Sequence, residues 1–134
     1  MRFKTLDLSG NANIGDSVCS TLAKLLRDHT PLTTLILDGT WITQKGLADI
    51  LKEAEKSTNI STISIKNCLQ IDLLSNPLDE SYIQVVSSMK KNCSIVNLYT
   101  TDDMKVDPEL REDFDKQLEI NKEIVDIIFP RVME

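Results

Sequence analysis

The 134-residue sequence predicts an α/β fold in which short parallel strands alternate with amphipathic helices. Short apolar segments recur along the chain, a stretch with helical spacing of apolar residues follows most of them, and capping residues mark where those helices begin. The middle residues of the apolar segments are separated by 29, 28, 35 and 29 residues, and they are Leu6, Leu35, Ile63, Leu98 and Ile127. Each interval is long enough for one strand and one returning helix.

The strand pattern is clearest in Leu32–Gly46, which reads L-x-x-L-x-L-x-x-T-x-I-x-x-x-G. Alternate residues of a strand face opposite sides of its sheet, so each segment sends every second side chain into the core. The predicted core pairs are Leu6/Leu8, Leu35/Leu37, Ile63/Ile65 and Ile127/Phe129, with Leu98 beside Thr100 in the fourth row. Small side chains in the following turns are expected to satisfy backbone groups: Asn11, Thr40 and Cys68.

Four helices are predicted between these strands. Their expected starts are Gly15-Asp16, Thr43, Asp79 and Asp107-Pro108-Glu109, where a polar cap or an early proline favours a helix. Their expected inner faces are Val18, Leu22, Leu25 and Leu26; Leu47, Ile50, Leu51 and Ala54; Tyr82, Val85, Val86 and Met89; and Leu110, Phe114 and Leu118. The one long interval contains a turn-rich insertion near residues 69–78.

The repeat unit resembles the ribonuclease-inhibitor class of leucine-rich repeats. The resemblance rests on the 28–29 residue period and on polar joints after the helices, such as Arg27–Leu32 and Lys90–Ile95. It implies a right-handed leucine-rich repeat solenoid, a short horseshoe with a parallel five-strand sheet on the concave side and four helices on the convex side. It covers essentially the whole chain, so residues 1–134 are expected to form a single domain.

A narrower resemblance is to the C-terminal repeat domain of tropomodulins, which cap the pointed ends of actin filaments. It rests on joints of the form K-N-x-x-[IL] and on acid-rich helices. The sequence departs from the family because the asparagine position after the strand holds Asn11 once and then Thr40 and Cys68, and because the chain ends on a predicted strand. This resemblance implies a cytoskeletal, actin-regulating function.

The sheet face that points away from the helices, here called the open face, is the predicted binding surface. Its candidate partner-binding residues are Asp7, Thr34, Ile36, Asp38, Ser64, Lys66, Tyr99 and Ile128. Tyr99 is an aromatic anchor of the kind that interfaces favour. For Asp38 and Lys66, a simple pair across the sheet is the alternative to a role in binding. The chain begins inside a strand, so self-association through the exposed N-terminal repeat edge is a further expectation.

Charge and residue content exclude other classes of function. The net charge of −6 argues against binding to nucleic acid or to an anionic membrane, and no apolar run approaches the roughly 18 residues of a membrane span. Three cysteines without a C-x-x-C pair indicate reduced thiols in the cytoplasm. The sequence therefore predicts a non-enzymatic protein-binding module with no cofactor and no metal. A small-GTPase regulator is the second alternative, and it would need an Arg or Asn presented to a nucleotide.

Three features have a structural interpretation beside a functional one. Trp41 is expected to pack over a loop edge, with an exposed anchor as the alternative. His29, the only histidine, is expected to interact with the last carbonyls of a helix. The acids Asp102, Asp103, Asp107, Glu109, Glu112, Asp113 and Asp115 lack the spacing of a calcium loop and are expected to form a solvated helix start.

Overall fold

A computed structural model describes residues 4–27, 31–56, 59–74, 76, 78–92 and 94–128, with side chains as far as Ile124. The elements in chain order are β1 (Thr5–Asp7), α1 (Asp16–Arg27), β2 (Thr34–Ile36), α2 (Gln44–Ala54), β3 (Thr62–Ser64), β4 (Asp72–Leu73), α3 (Glu80–Lys91), β5 (Asn97–Tyr99), β6 (Lys105–Val106) and α4 (Pro108–Ile128). None of these helices combines the length and the apolar character that crossing a membrane requires.

The main sheet is parallel, with strand order β1-β2-β3-β5. Its register aligns Leu6 with Leu35, Leu35 with Ile63, and Ile63 with Leu98. The alignment of the first four repeats is therefore confirmed. A second parallel sheet pairs β4 with β6 and lies in the segments that lead towards α3 and α4.

The predicted fifth strand is wrong. Ile127 and its neighbours Asp126 and Ile128 belong to α4, and the predicted partners Phe129 and Pro130 lie outside the described residues. The main sheet therefore has four strands within the described part of the chain, and the predicted right-handed winding stays a prediction.

The length of α4 has a simple cause. No glycine or proline lies between Pro108 and Pro130, so nothing in the sequence ends the helix early. Its buried residues continue at helical spacing beyond the predicted inner face, and they are Leu110, Phe114, Leu118 and Asn121. A short apolar run such as residues 124–129 fits either a strand or a buried helix, and here the helical surroundings decide.

The helix starts match the capping residues. The Thr43 hydroxyl accepts the Lys45 amide at 3.2 Å, and the Asp79 carboxylate accepts the Ser81 amide at 2.9 Å. Helix α4 begins at Pro108, the position after the predicted cap. These contacts satisfy amides that have no partner inside the helix.

The core lies between the main sheet and the helices. Leu35, Leu37, Ile63 and Ile65 of the two central repeats are fully buried, and the predicted inner faces of all four helices pack around them. Leu6, Leu8 and Leu98 of the outer repeats are only partly buried. The two middle repeats therefore supply the best-packed part of the core, as expected when each repeat is covered by its neighbours.

The fourth repeat fills its core less completely. Thr100 stands where the other repeats place Leu8, Leu37 and Ile65, and its hydroxyl accepts a hydrogen bond from Arg111 Nη1 at 2.6 Å. A small cavity beside Thr100 is lined mainly by apolar side chains, including Leu98, Val106 and Phe114.

The turns after the first three strands share one backbone conformation. Gly10, Gly39 and Asn67 all have positive φ, at 78°, 69° and 58°. The next residue in each turn satisfies a backbone carbonyl, as predicted: the Asn11 amide donates to Leu8 O at 2.9 Å, the Thr40 hydroxyl to Leu37 O at 2.8 Å, and the Cys68 thiol to Leu37 O at 3.0 Å.

Candidate protein-binding surfaces

The open face presents the predicted central column. Strand register places Asp7, Ile36, Ser64 and Tyr99 side by side across the sheet, and Thr34 lies in the neighbouring column. Ile128 belongs to α4 and not to this sheet. The described open face thus extends over four repeats.

Tyr99 and Lys66 form an exposed part of the open face. The Tyr99 side chain is 45% exposed, and the Lys66 ammonium lies 5.2 Å from the centre of its ring. A cation at this distance is attracted by the negative face of the ring. Ile36 is half-buried two strands away and adds apolar surface between them and Asp7. An aromatic ring, a cation and an aliphatic side chain together can bind a protein surface.

The acids of the open face are already engaged. Asp38 accepts hydrogen bonds from the Ser64 hydroxyl at 2.6 Å and from the Lys66 amide at 2.9 Å, so it contacts the backbone of Lys66. Ser64 is also buried and offers little surface. Asp7 accepts the hydroxyl and the amide of Ser9 at 2.6 and 2.9 Å, and these bonds hold the pKa of Asp7 below its ordinary value. The carboxylates of Asp38 and Asp7 therefore already have hydrogen-bond partners within the domain.

A second apolar surface lies where the parallel strands end. It consists of Trp41, Leu69, Leu74 and Leu78, which are 59%, 50%, 47% and 91% exposed. We call these four residues the strand-end edge. Trp41 and Leu69 follow Thr40 and Cys68, whose side chains lie 3.6 Å apart in adjacent repeats, so the two positions correspond. The alternative reading of Trp41 as an exposed residue is therefore the correct one.

Leu74 and Leu78 belong to the insertion, whose two ends are joined through the side chain of Gln44. Gln44 accepts the Asp72 amide at 3.0 Å and donates to the Asp79 carboxylate at 3.2 Å, so it holds both ends of the loop. Inside the loop, the Leu74 amide donates to Asp72 Oδ1 at 3.1 Å, and the Leu78 amide donates to Asn76 Oδ1 at 3.2 Å. The apolar residues of this loop were not singled out from the sequence, although leucines in a turn-rich insertion are a binding signal.

The convex side is stabilised by internal polar contacts. Arg27 and the buried Glu53 form an ion pair at 2.8 Å between α1 and α2, and the Arg27 hydrogen bond holds the pKa of Glu53 below its ordinary value. The buried Asn92 donates to Ala54 O at 3.1 Å and accepts the amides of Ser94 and Ile95. These contacts join successive repeats.

The remaining candidate residues show no arrangement for chemistry. Burial raises the pKa of the Cys19 thiol to about 12, with Asp16 and Asp49 adding to the effect, and burial also raises the pKa of Cys68. The acids around the start of α4 are mostly exposed, and no group of three or more potential ligands among the described residues is arranged to hold a metal ion. His29 lies outside the described residues.

Comparison with known proteins gives the fold. No protein-family model matches the chain, and no curated protein matches it. The solved structure of leiomodin-1 actin-binding site 2 superposes with a TM-score of 0.74 at 14% sequence identity, over 95% of this chain and 85% of that chain. The tropomodulin C-terminal domain of Caenorhabditis elegans superposes with a TM-score of 0.71 at 22% identity, over 92% of this chain and 68% of that chain. The resemblance to the tropomodulin domain is thus confirmed for the fold, while membership of the ribonuclease-inhibitor class stays a prediction. The chain shares the α/β fold of these two domains.

Proposed function

We propose that this domain is a non-enzymatic protein-binding module of the cytoskeleton and that its partner is actin. The observation behind the proposal is the fold shared over 95% of the chain with a domain that is itself an actin-binding site. Reduced, buried thiols at Cys19 and Cys68 fit a protein of the cytoplasm, where actin is found. Neither described arginine favours the GTPase alternative, because Arg27 is paired with Glu53 and Arg111 donates to Thr100 and Thr101.

The contact surface that we propose is the open face, centred on Tyr99. Tyrosine is enriched among residues that dominate binding energy, because its ring buries a large area and loses little conformational entropy. Lys66 stacks over this ring and Ile36 extends the apolar area, whereas Asp38 keeps the turn rigid. Asp7 and Thr34 complete the proposed surface at its periphery.

The experiment is actin binding by the wild-type chain and by two matched variants. Tyr99→Arg places a charge on the open face, and Ile120→Arg makes the same kind of change at a 48% exposed position of α4. Co-sedimentation with filaments and monomer binding are both measured, together with elongation of filaments whose barbed ends are blocked. We expect wild type and Ile120→Arg to bind alike and Tyr99→Arg to bind at least about tenfold more weakly.

Two results would contradict the proposal in different ways. If the wild-type chain neither binds actin nor alters elongation, actin is not the partner. If Tyr99→Arg binds as well as wild type, actin binding stands and the open face is not its site. Matching circular dichroism spectra and melting temperatures for all three proteins exclude an effect of unfolding.

A further inference from the structure

The strand-end edge has the composition of a docking surface and lies apart from the open face. A tryptophan and three leucines, each between 47% and 91% exposed, lie along the loops that follow β2, β3 and β4. Exposed apolar residues that lie singly on a protein are ordinary, but large apolar residues exposed at corresponding positions of adjacent repeats are not. Trp41 and Leu69 are such a pair, and Leu74 and Leu78 extend it into the insertion.

Hydrogen bonds hold the described residues of this surface. The Gln44 side chain holds both ends of the insertion, and Asx-type hydrogen bonds at Asp72 and Asn76 fix the amides of Leu74 and Leu78. Burial raises the pKa of Asp79, but the hydrogen bonds from Ser81 and Gln44 outweigh it and leave that pKa below its ordinary value. The Gln44–Asp79 contact is thus a bond to a carboxylate, which is stronger than a neutral one.

The charges beside the edge indicate the chemistry of the partner. The exposed acids here are Asp72 and Glu80 at the two ends of the insertion and Asp102 and Asp103 in the next turn. The exposed cations beside them are Lys45 and Lys105, together with Lys66 in the turn before Leu69, whose ammonium lies over the Tyr99 ring of the open face. Acids thus outnumber cations next to the apolar residues, in a chain whose net charge is already −6. A segment with lysines or arginines beside its apolar residues is favoured over an acidic one.

We propose that the strand-end edge binds an amphipathic segment of a protein partner, with large apolar side chains on one face and basic residues beside them. Trp41 and Leu69 contact the apolar face of that segment, and Leu74 and Leu78 contact its side. The acids at the ends of the insertion and in the turn before β6 contact its basic residues. This surface is separate from the actin contact proposed above, and neither depends on the other.

Trp41 is the only tryptophan of the chain, so its fluorescence reports on this surface directly. The probe is a synthetic 15-residue peptide of leucine and lysine with helical spacing of the leucines, and its control has glutamate in place of every lysine. We expect the lysine peptide to shift Trp41 emission to shorter wavelength and to protect it severalfold from acrylamide quenching. The glutamate peptide should bind at least about tenfold more weakly, and added salt should weaken the lysine peptide.

Variants locate the bound peptide. Leu74→Ser and Leu78→Ser change exposed side chains, so both proteins should fold normally and bind the lysine peptide about tenfold more weakly. Tyr99→Ser on the open face and Ile120→Ser on α4 are the matched controls and should bind like wild type. If Tyr99→Ser weakens binding of the lysine peptide as much as Leu78→Ser does, the peptide does not bind specifically at the strand-end edge, and the proposal is refuted.

Two further outcomes overturn the proposal. Equal binding of the glutamate peptide would remove the argument from charge. The oligomeric state of the chain alone is measured by light scattering. If the chain is a dimer in which acrylamide cannot reach Trp41, the strand-end edge is covered by a second copy of the chain and not by a segment of another protein. Since none of these measurements contains actin, their failure is distinct from failure of the actin proposal.

Discussion

Replacing Asn92 by alanine tests how the repeats are joined. The Asn92 side chain is 1% exposed and makes three hydrogen bonds to backbone groups: it donates to Ala54 O at the end of α2 and accepts the amides of Ser94 and Ile95 ahead of β5. Ala54 and Ile95 are themselves fully buried, so water cannot replace the lost partner at either of them. Ser94 is only half-buried, and its amide can be solvated in part.

The expected loss follows from these burials. A buried polar group left without a partner costs about 1–3 kcal/mol, and two groups are fully affected while a third is partly affected. Asn92→Ala should therefore lower the free energy of unfolding by about 3–5 kcal/mol, a large part of the roughly 5–15 kcal/mol of an ordinary domain. The matched control is Asn97→Ala, which removes a single 3.3 Å bond to Thr62 from a half-buried site and should cost about 1 kcal/mol or less.

The assay is urea unfolding of both variants and of wild type, followed by circular dichroism at the helix band. A lower midpoint with an unchanged slope reports a loss of stability in a two-state transition. If Asn92→Ala costs no more than Asn97→Ala, the buried amide does not hold the repeats together, and the reasoning from unsatisfied backbone groups is refuted.

Three other predictions concern backbone conformation, pH and thiol chemistry. Gly39→Ala should lower the free energy of unfolding by about 1–2 kcal/mol because its φ is 69°, whereas Asn67→Gly, at the equivalent turn, should stay within about 0.5 kcal/mol of wild type by thermal melting. The Arg27 hydrogen bond lowers the pKa of Glu53 in the folded state. Ionised Glu53 therefore stabilises the fold fully above the ordinary glutamate pKa, and this contribution is lost as pH falls through the pKa of Glu53 in the folded state. The stability difference between wild type and Glu53→Gln should thus shrink on acidification, and a difference independent of pH would contradict this. With a pKa of about 12, the Cys19 thiol should resist iodoacetamide at pH 8 until urea unfolds the chain, and mass spectrometry can locate the modified cysteine. Above pH 9, the free energy of unfolding of wild type should fall by up to about 1.4 kcal/mol per pH unit relative to that of Cys19→Ala.

The architecture could be predicted because its determinants are local and repeat along the chain. Leu35 and Leu37 in one repeat and Ile63 and Ile65 in the next mark both the strand and its buried side, and Thr43 marks the start of a helix with its own hydroxyl. These signals need no knowledge of the rest of the molecule.

The prediction of a fifth strand was wrong because it also rested on local signals alone. The segment around Ile127 repeats the strand spacing and is rich in β-branched residues. A short apolar run has only a weak intrinsic preference for a strand, so this segment continues the helix that begins at Pro108. The pairing of β4 with β6 could not be predicted either, because strands of two residues carry no periodicity.

The binding surfaces divide in a similar way. Strand alternation predicts a column that contains Asp7, Ile36 and Tyr99, and the sheet has this register, while the role of the column in binding stays a prediction. The burial of Ser64 differs from what strand alternation predicts, because alternation gives the side of the sheet and not how far neighbouring side chains cover it. The exposure of Trp41 and Leu78 depends on how a loop closes, and the sequence contains no periodic signal for that.

The Gln44 contact to Asp72 and Asp79 makes the intervening loop a place where the chain can be lengthened. Because the side chain from α2 fixes both ends, added residues change only the entropy of a closed loop, and doubling a loop costs only about 0.6 kcal/mol. The domain can therefore act as a scaffold that displays a foreign peptide between residues 74 and 78 while its core stays as it is. Binding at this loop and stability of the fold depend on different residues, so the loop sequence can change while the stability of the domain is kept.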